Sequence, residues 1–169
     1  MIESAVSNWN KAVINHFPDS QKMINGIATP IIERDKGNRF FPVIVKKDGD
    51  CVYPFADDDY MFGIYHRLLN IDYLKNQSKS YGDNSRIKAV AELLLVCWGW
   101  ISFIDVLQME RTLHSLSPKS ILFSQVNFDR RQVFFSEFSR VNFFLPPELF
   151  LFSIRYKVQF TVDKNCLEI

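Results

Sequence analysis

One stretch of the chain alternates without a break: Phe150, Phe152, Ile154, Tyr156, Val158, Phe160 and Val162, with Ser153, Arg155, Lys157, Gln159, Thr161 and Asp163 between them. A period of two puts every second side chain on one face, which predicts a half-buried antiparallel strand about 40 Å long. Its even-numbered side should be buried and its odd-numbered side exposed. Strands usually run to five or six residues, so this one predicts extension past its own sheet, where another subunit can pair with it. A helical period governs the start of the chain. Ile2, Val6, Trp9 and Val13 recur at intervals of four, three and four, one stripe of an amphipathic helix that Pro18 ends.

Between these two stretches the pattern is mixed. Residues 21–29 fit no period, and Thr29-Pro30 opens an extended run that turns at Lys36-Gly37-Asn38. The apolar run 40–45 and the segment from Cys51 flank Asp48-Gly49, which predicts a β-hairpin with Pro42 at an edge or bulge. Both faces of 40–45 are apolar, so one face needs a cover beyond its own core. Tyr60, Phe62, Ile64 and His66 alternate and favour a strand, although Tyr65, Leu68 and Leu69 would also suit the start of a helix. Lys75 to Arg86 is polar and predicts an exposed loop. The stretch 88–98 is favoured as a buried strand. Ser102 is a plausible N-cap for a second helix near 102–116, with Val106, Met109, Leu113 and Leu116 as its stripe and Pro118 beyond it. A strand at 120–126 and a short helical or irregular piece near 128–138 follow. The expectation is a single α+β domain over 1–169: a mainly antiparallel sheet with the N-terminal helix and the helix near 102–116 packed on it.

At 169 residues and 47% hydrophobic content, the chain can bury a substantial core. Aromatics reach 15%, with 16 Phe. Twenty basic residues against 19 acidic leave +1, which disfavours wrapping by nucleic acid. The basic loop Lys75, Lys79, Arg86 and Lys88, with Tyr81, is read first as a hydrophilic loop and second as a phosphate-contacting one. The N-terminus has no basic region followed by an apolar one, and the apolar stretch 89–104 is interrupted by Glu92, so neither a signal peptide nor a membrane span is expected. Cys51, Cys97 and Cys166 match no disulfide or zinc spacing and read as buried, reduced thiols.

No stretch carries a catalytic motif. Asp57, Asp58 and Asp59 lack the ligand order of a calcium loop and read as a solvated acidic turn. His16, His66 and His114 stand far apart; His114 follows Glu110 by four residues, an ordinary helical pair. Glu137 with Arg130, Arg131 and Arg140 reads as a surface charge cluster. The six glycines never gather into a phosphate-cradling loop. No catalytic residue, cofactor or metal site is therefore expected. Some of the dense aromatic segment 134–147, with Phe134, Phe135, Phe138, Phe143 and Phe144 before Leu145-Pro146-Pro147, must be core, yet it is more apolar than one small domain readily covers, and such a surplus predicts an interface. Its candidate residues are Phe40, Phe41, Phe143, Phe144, Pro146 and Pro147.

In this order of elements (an N-terminal helix, a hairpin at Asp48-Gly49, further strands, a helix near 102–116, a long last strand) the chain resembles the tail terminator, or tail completion, proteins of tailed bacteriophages, and also the related head–tail connector proteins. The stretch 60–100 is longer than such a fold requires. The resemblance implies a non-catalytic virion subunit made in the host cytoplasm. It also implies a homo-oligomeric, hexameric ring that contacts tail tube and connector proteins and lets DNA pass without reading its sequence. Two other classes stay open: a small binding or regulatory protein of a mobile element, and a metal-dependent hydrolase using Asp57–Asp59.

Overall fold

The run Leu93-Leu94-Leu95-Val96-Cys97-Trp98 has no polar residue on either face, so in a strand both of its faces must be covered by other elements. A computed structural model describes residues 2–18, 21–54, 62–74, 86–100, 105–139 and 144–163, with backbone alone for 21–26. It has this run in the middle of a sheet with helices on both sides. In chain order the elements are α1 (Ile2–His16), β1 (Gln21–Arg34), β2 (Phe40–Lys46), β3 (Cys51–Val52), β4 (Phe62–Leu74) and β5 (Arg86–Trp100). Then come α2 (Val106–Ser115), β6 (Ile121–Asn127), α3 (Arg130–Phe138) and β7 (Leu149–Asp163).

The seven strands form one sheet in the order β3-β2-β1-β4-β5-β7-β6. Every neighbouring pair is antiparallel except β1 with β4. This is an α+β fold. Strands β5 and β7 pair from Arg86↔Asp163 to Trp100↔Leu149, and β4 covers the other side of β5.

One face of the sheet carries Ile64, Leu93, Leu95, Phe152, Ile154 and Tyr156 and packs against Val6, Trp9 and Val13 of α1 and Met109 and Leu113 of α2. The opposite face carries Tyr65, Leu94, Val96, Trp98, Leu149 and Leu151 and packs against Val133, Phe134 and Phe138 of α3. The predicted helical stripes and the alternation of β7 are thus present. The ambiguous segments 21–29 and 62–74 are strand.

Several expectations need correction. On β7 the odd-numbered Leu149, Leu151 and Ser153 are buried, because α3 covers that end; exposure of odd positions begins at Arg155. The second helix begins at Val106, not after Ser102. Its N-cap is Asp105, whose side chain accepts a 2.9 Å hydrogen bond from Gln108 N–H. Val43 and Ile44 are both fully buried, so β2 is covered on both faces within the chain. In the aromatic segment, Phe134 and Phe138 belong to the chain's own core. Strand β7 pairs with β5 along its whole length and with β6 over Ser153–Val158; among the described residues the outer sides of 149–152 and 159–163 have no strand partner.

The β2–β3 hairpin turns at Gly49, with φ of 90°, and Gly49 N–H donates to Lys46 O. Pro42 sits where the outer side of β2 has no ladder partner among the described residues, since β3 pairs there with Ile44 and Val45. The predicted loop 75–85 and the Asp57–Asp59 triplet lie outside the described residues. Arg86, assigned to that loop, starts β5.

Gly63 exists for a packing reason. A Cβ at this position would lie 2.2 Å from Cζ2 of Trp98, its cross-strand partner. Gly63→Ala must displace the indole from the α3-side core and should cost about 1–3 kcal/mol in chemical denaturation. Gln159→Ala, on the exposed side of β7, should stay within about 0.5 kcal/mol of the parent. Equal midpoints for the two variants would contradict this packing.

Candidate functional site

On the α1 side the sheet buries a polar group. His66 of β4 lies among apolar residues, and two partners satisfy its ring. Tyr156 Oη is 2.8 Å from Nδ1, and Asn10 Oδ1 is 3.0 Å from Nε2. A neutral imidazole has one donor and one acceptor, so Tyr156 donates to Nδ1 and Nε2–H donates to Asn10. Trp9 packs edge-on against Tyr156 and donates its indole N–H to Leu113 O of α2 at 2.9 Å. Burial pushes His66 down to about 3 and raises the Tyr156 phenol. The other histidines stand elsewhere. His16 is exposed at the end of α1, and His114 contacts the Glu110 carboxylate and the ring of Phe123. Among the described residues no three His, Cys, Asp or Glu side chains gather as a metal set.

On the α3 side, Glu137 is buried rather than part of a surface cluster. It accepts from Tyr65 Oη at 2.6 Å and from Arg67 Nη1 at 2.8 Å. Burial, followed by the Glu137 charge, holds the Tyr65 phenol well above its usual range. Arg130, assigned to the same cluster, instead donates to Pro146 O at 2.7 Å and Leu149 O at 2.8 Å, tying the segment before β7 to α3. Arg140 lies outside the described residues. Nothing in the local spacing announced Tyr65 and Arg67 as partners of Glu137, because they are about seventy residues away in the chain.

Beside this network a cleft of about 230 Å³ opens between α3 and the sheet. It is lined by Leu94, Gln125, Asn127, Gln132, Ser136, Ser153 and Arg155. A bulge at Ser124 shapes it: Phe123 pairs with Tyr156 but Gln125 pairs with Arg155. The extra residue puts Phe123 on the α1 side, against Trp9 and His114. It puts Gln125 and Asn127 on the α3 side.

The predicted interface residues do not gather into one patch. Phe40 is 48% exposed at the start of β2, and Phe41 is half-buried against Tyr53. Phe144 is 79% exposed before β7, Pro146 is half-buried and Pro147 exposed. Phe143 lies outside the described residues. Strands β1, β4 and β5 separate β2 from β7. Further exposed apolar residues lie towards both ends of the sheet: Ile31 on β1 and Tyr53 just after β3, on the face of Phe41 and not of Phe40, and Leu122, Phe123 and Phe128 on or just after β6. Cys97 is buried, but Cys51 is exposed on β3, against the expectation of burial. Cys166, Lys75, Lys79 and Tyr81 are outside the described residues, while Arg86 and Lys88 are exposed on β5. Among the described residues no helix is long and apolar enough to cross a membrane.

The geometry defines an α+β protein with satisfied polar networks in its core and apolar side chains at two sheet edges. Comparison with protein families, with curated proteins and with solved structures finds no match.

The His66 environment makes a signed prediction. A histidine whose pKa is lower folded than unfolded contributes stability that is complete above about 6.5 and lost as pH falls towards about 3. Through this group alone the protein should lose about 2 kcal/mol between pH 7.5 and pH 5. His66→Gln should show that much less acid loss, whatever its stability at neutral pH. Identical pH slopes for the two proteins would show that His66 is not held neutral.

Proposed function

We propose that this chain is a non-catalytic structural subunit of a phage particle that assembles as a ring at the tail–head junction, in the manner of a tail terminator. The observation that carries the ring is the placement of exposed apolar side chains at opposite ends of one sheet: Ile31, Phe40 and Tyr53 at the β2 end, and Leu122 and Phe128 at the β6 end. Different sets of apolar side chains at the two ends of the sheet suit heterologous, head-to-tail contact, which closes into a ring when the rotation per subunit divides a full turn. The particle and its junction come from the resemblance in element order, with the helix, the Asp48-Gly49 hairpin and the long last strand in the same succession. A structural role also suits His66 and Glu137, whose polar atoms are occupied by neighbours in the chain.

Head-to-tail contact has a distinctive genetic signature. Phe40→Glu spoils one edge and Leu122→Glu the other, and each should weaken self-association by more than about tenfold, as the loss of a contact residue worth ~2 kcal/mol does. A mixture of the two variants should form heterodimers and stop there, because each retains one intact edge. Light scattering at high protein concentration reads this out. A parent that stays monomeric, or forms a symmetric dimer disrupted by only one substitution, rules out the ring. Electron microscopy of the particle tests the placement: the chain should encircle the axis between head and tail, and its presence elsewhere would refute the terminator role.

A further inference from the structure

We infer that the cleft between α3 and strands β5, β7 and β6 binds a carboxylate group, held by Arg155, Ser153 and Gln125 over a floor formed by Leu94. The inference is independent of the ring and rests on unused hydrogen-bonding capacity. Four polar residues are buried among the described residues: Asn10, His66, Glu137 and Ser153. The first three are hydrogen-bonded by their side chains. Ser153 is 6% exposed, lines the cleft, and its hydroxyl has no protein partner among the described residues. A hydroxyl that lines a cleft of this size pairs with whatever fills the cleft, so it offers a hydrogen bond to a ligand that displaces solvent there.

Its neighbours are similarly available. The Gln125 amide, turned into the cleft by the Ser124 bulge, has no side-chain partner among the described residues. Arg155 is directly cross-strand from both Leu94 and Gln125. Its ion pair with Glu92, at 3.9 Å, is too long for a hydrogen bond and leaves its N–H groups able to donate into the cleft. Asn127 and Gln132 close the far wall by bonding each other at 3.3 Å.

The lining selects the ligand chemistry. Among the described residues it contains one cation and no acid, which favours a single negative charge and disfavours a metal ion. Among the described residues no aromatic side chain lines the cleft to give a platform on which a sugar ring or nucleobase can stack. A guanidinium fork matches the two oxygens of a carboxylate, and the hydroxyl and amide N–H supply its remaining bonds. About 230 Å³ exceeds the need of a single water but falls short of a drug-sized pocket. The occupant is therefore a small acid or the acidic end of a larger molecule.

The test is a titration of isotopically labelled protein followed by amide NMR. The probes are N-acetylglycine, which mimics a peptide C-terminus, and N-acetylaspartate N-methylamide, which mimics an acidic side chain. N-acetylglycinamide is the neutral control and inorganic phosphate the competing anion. At least one carboxylate should give saturable shifts at Ser153, Gln125 and Gln132 in the millimolar range, and the tighter of the two identifies the source. Arg155→Gln and Ser153→Ala should each weaken that binding about tenfold or more while leaving the rest of the spectrum folded. The inference is overturned by the absence of saturation with both carboxylates, by equal response to the neutral amide, by tighter binding of phosphate, or by undiminished binding in Arg155→Gln.

Discussion

Strand β5 has to be covered on both faces, and the remaining architecture follows from that requirement. Its residues from Leu93 to Trp98 alternate between the two cores while all staying buried. Long ladders to β4 and β7 satisfy its backbone. Each face then needs its own helical layer, and the chain supplies α1 and α2 on one side and α3 on the other. Trp9 makes the first layer specific. Its ring packs against the Tyr156 and His66 rings, while its N–H reaches Leu113 O, so one side chain joins α1, the sheet and α2. A large aromatic whose polar atom is satisfied stabilises through burial without an orphaned donor.

The second layer is smaller, and this explains where polar chemistry collects. Helix α3 has nine residues, too few to persist alone in water. It is held by Val133, Phe134 and Phe138, by Asp129 capping its first turn, and by Glu137 receiving Tyr65 and Arg67. A buried carboxylate with excellent partners adds positional specificity more than net stability, because its desolvation offsets much of the attraction. Such a short helix covers only part of the sheet. At its margin the same strands change from Leu149 and Leu151 to Arg155 and Lys157, and the cleft lies along that boundary.

Local periodicity accounts for what could be read in advance. Helix α1, the hairpin at Asp48-Gly49, the stripe of α2 and the alternation of β7 are each written within a few consecutive residues. The doubly buried end of β7 was hidden because Leu149, Leu151 and Ser153 owe their burial to α3, which is separate in sequence from β7. Strand β4 reads ambiguously because a bulge at Leu69 breaks its alternation: Leu68 pairs with Leu93 and Asn70 with Glu92. The Glu137 network and the cleft were illegible for the same reason. Ser153, Gln125 and Gln132 are unremarkable polar residues until the Ser124 bulge and the seating of α3 bring them together.

The two sheet edges constrain how copies of this chain can meet. An edge of unpaired N–H and C=O groups invites a neighbouring strand to extend the ladder. Here each edge is interrupted in its own way. On β2, Pro42 has no N–H to offer, and β3 already occupies Ile44 and Val45. On β6, the bulge at Ser124 disturbs the spacing, and the Ser124 hydroxyl turns back to Arg155 O at 3.2 Å. Bulges and prolines are the devices that blunt edge pairing while leaving side chains free to project. In the proposed ring, a contact between these edges would therefore rest on side chains such as Phe40 or Tyr53 and Leu122 or Phe128 more than on a continuous backbone ladder. Packing of that kind would fix the angle between subunits through side-chain shape, as closure of a ring requires, whereas unrestricted strand addition would carry no signal to stop.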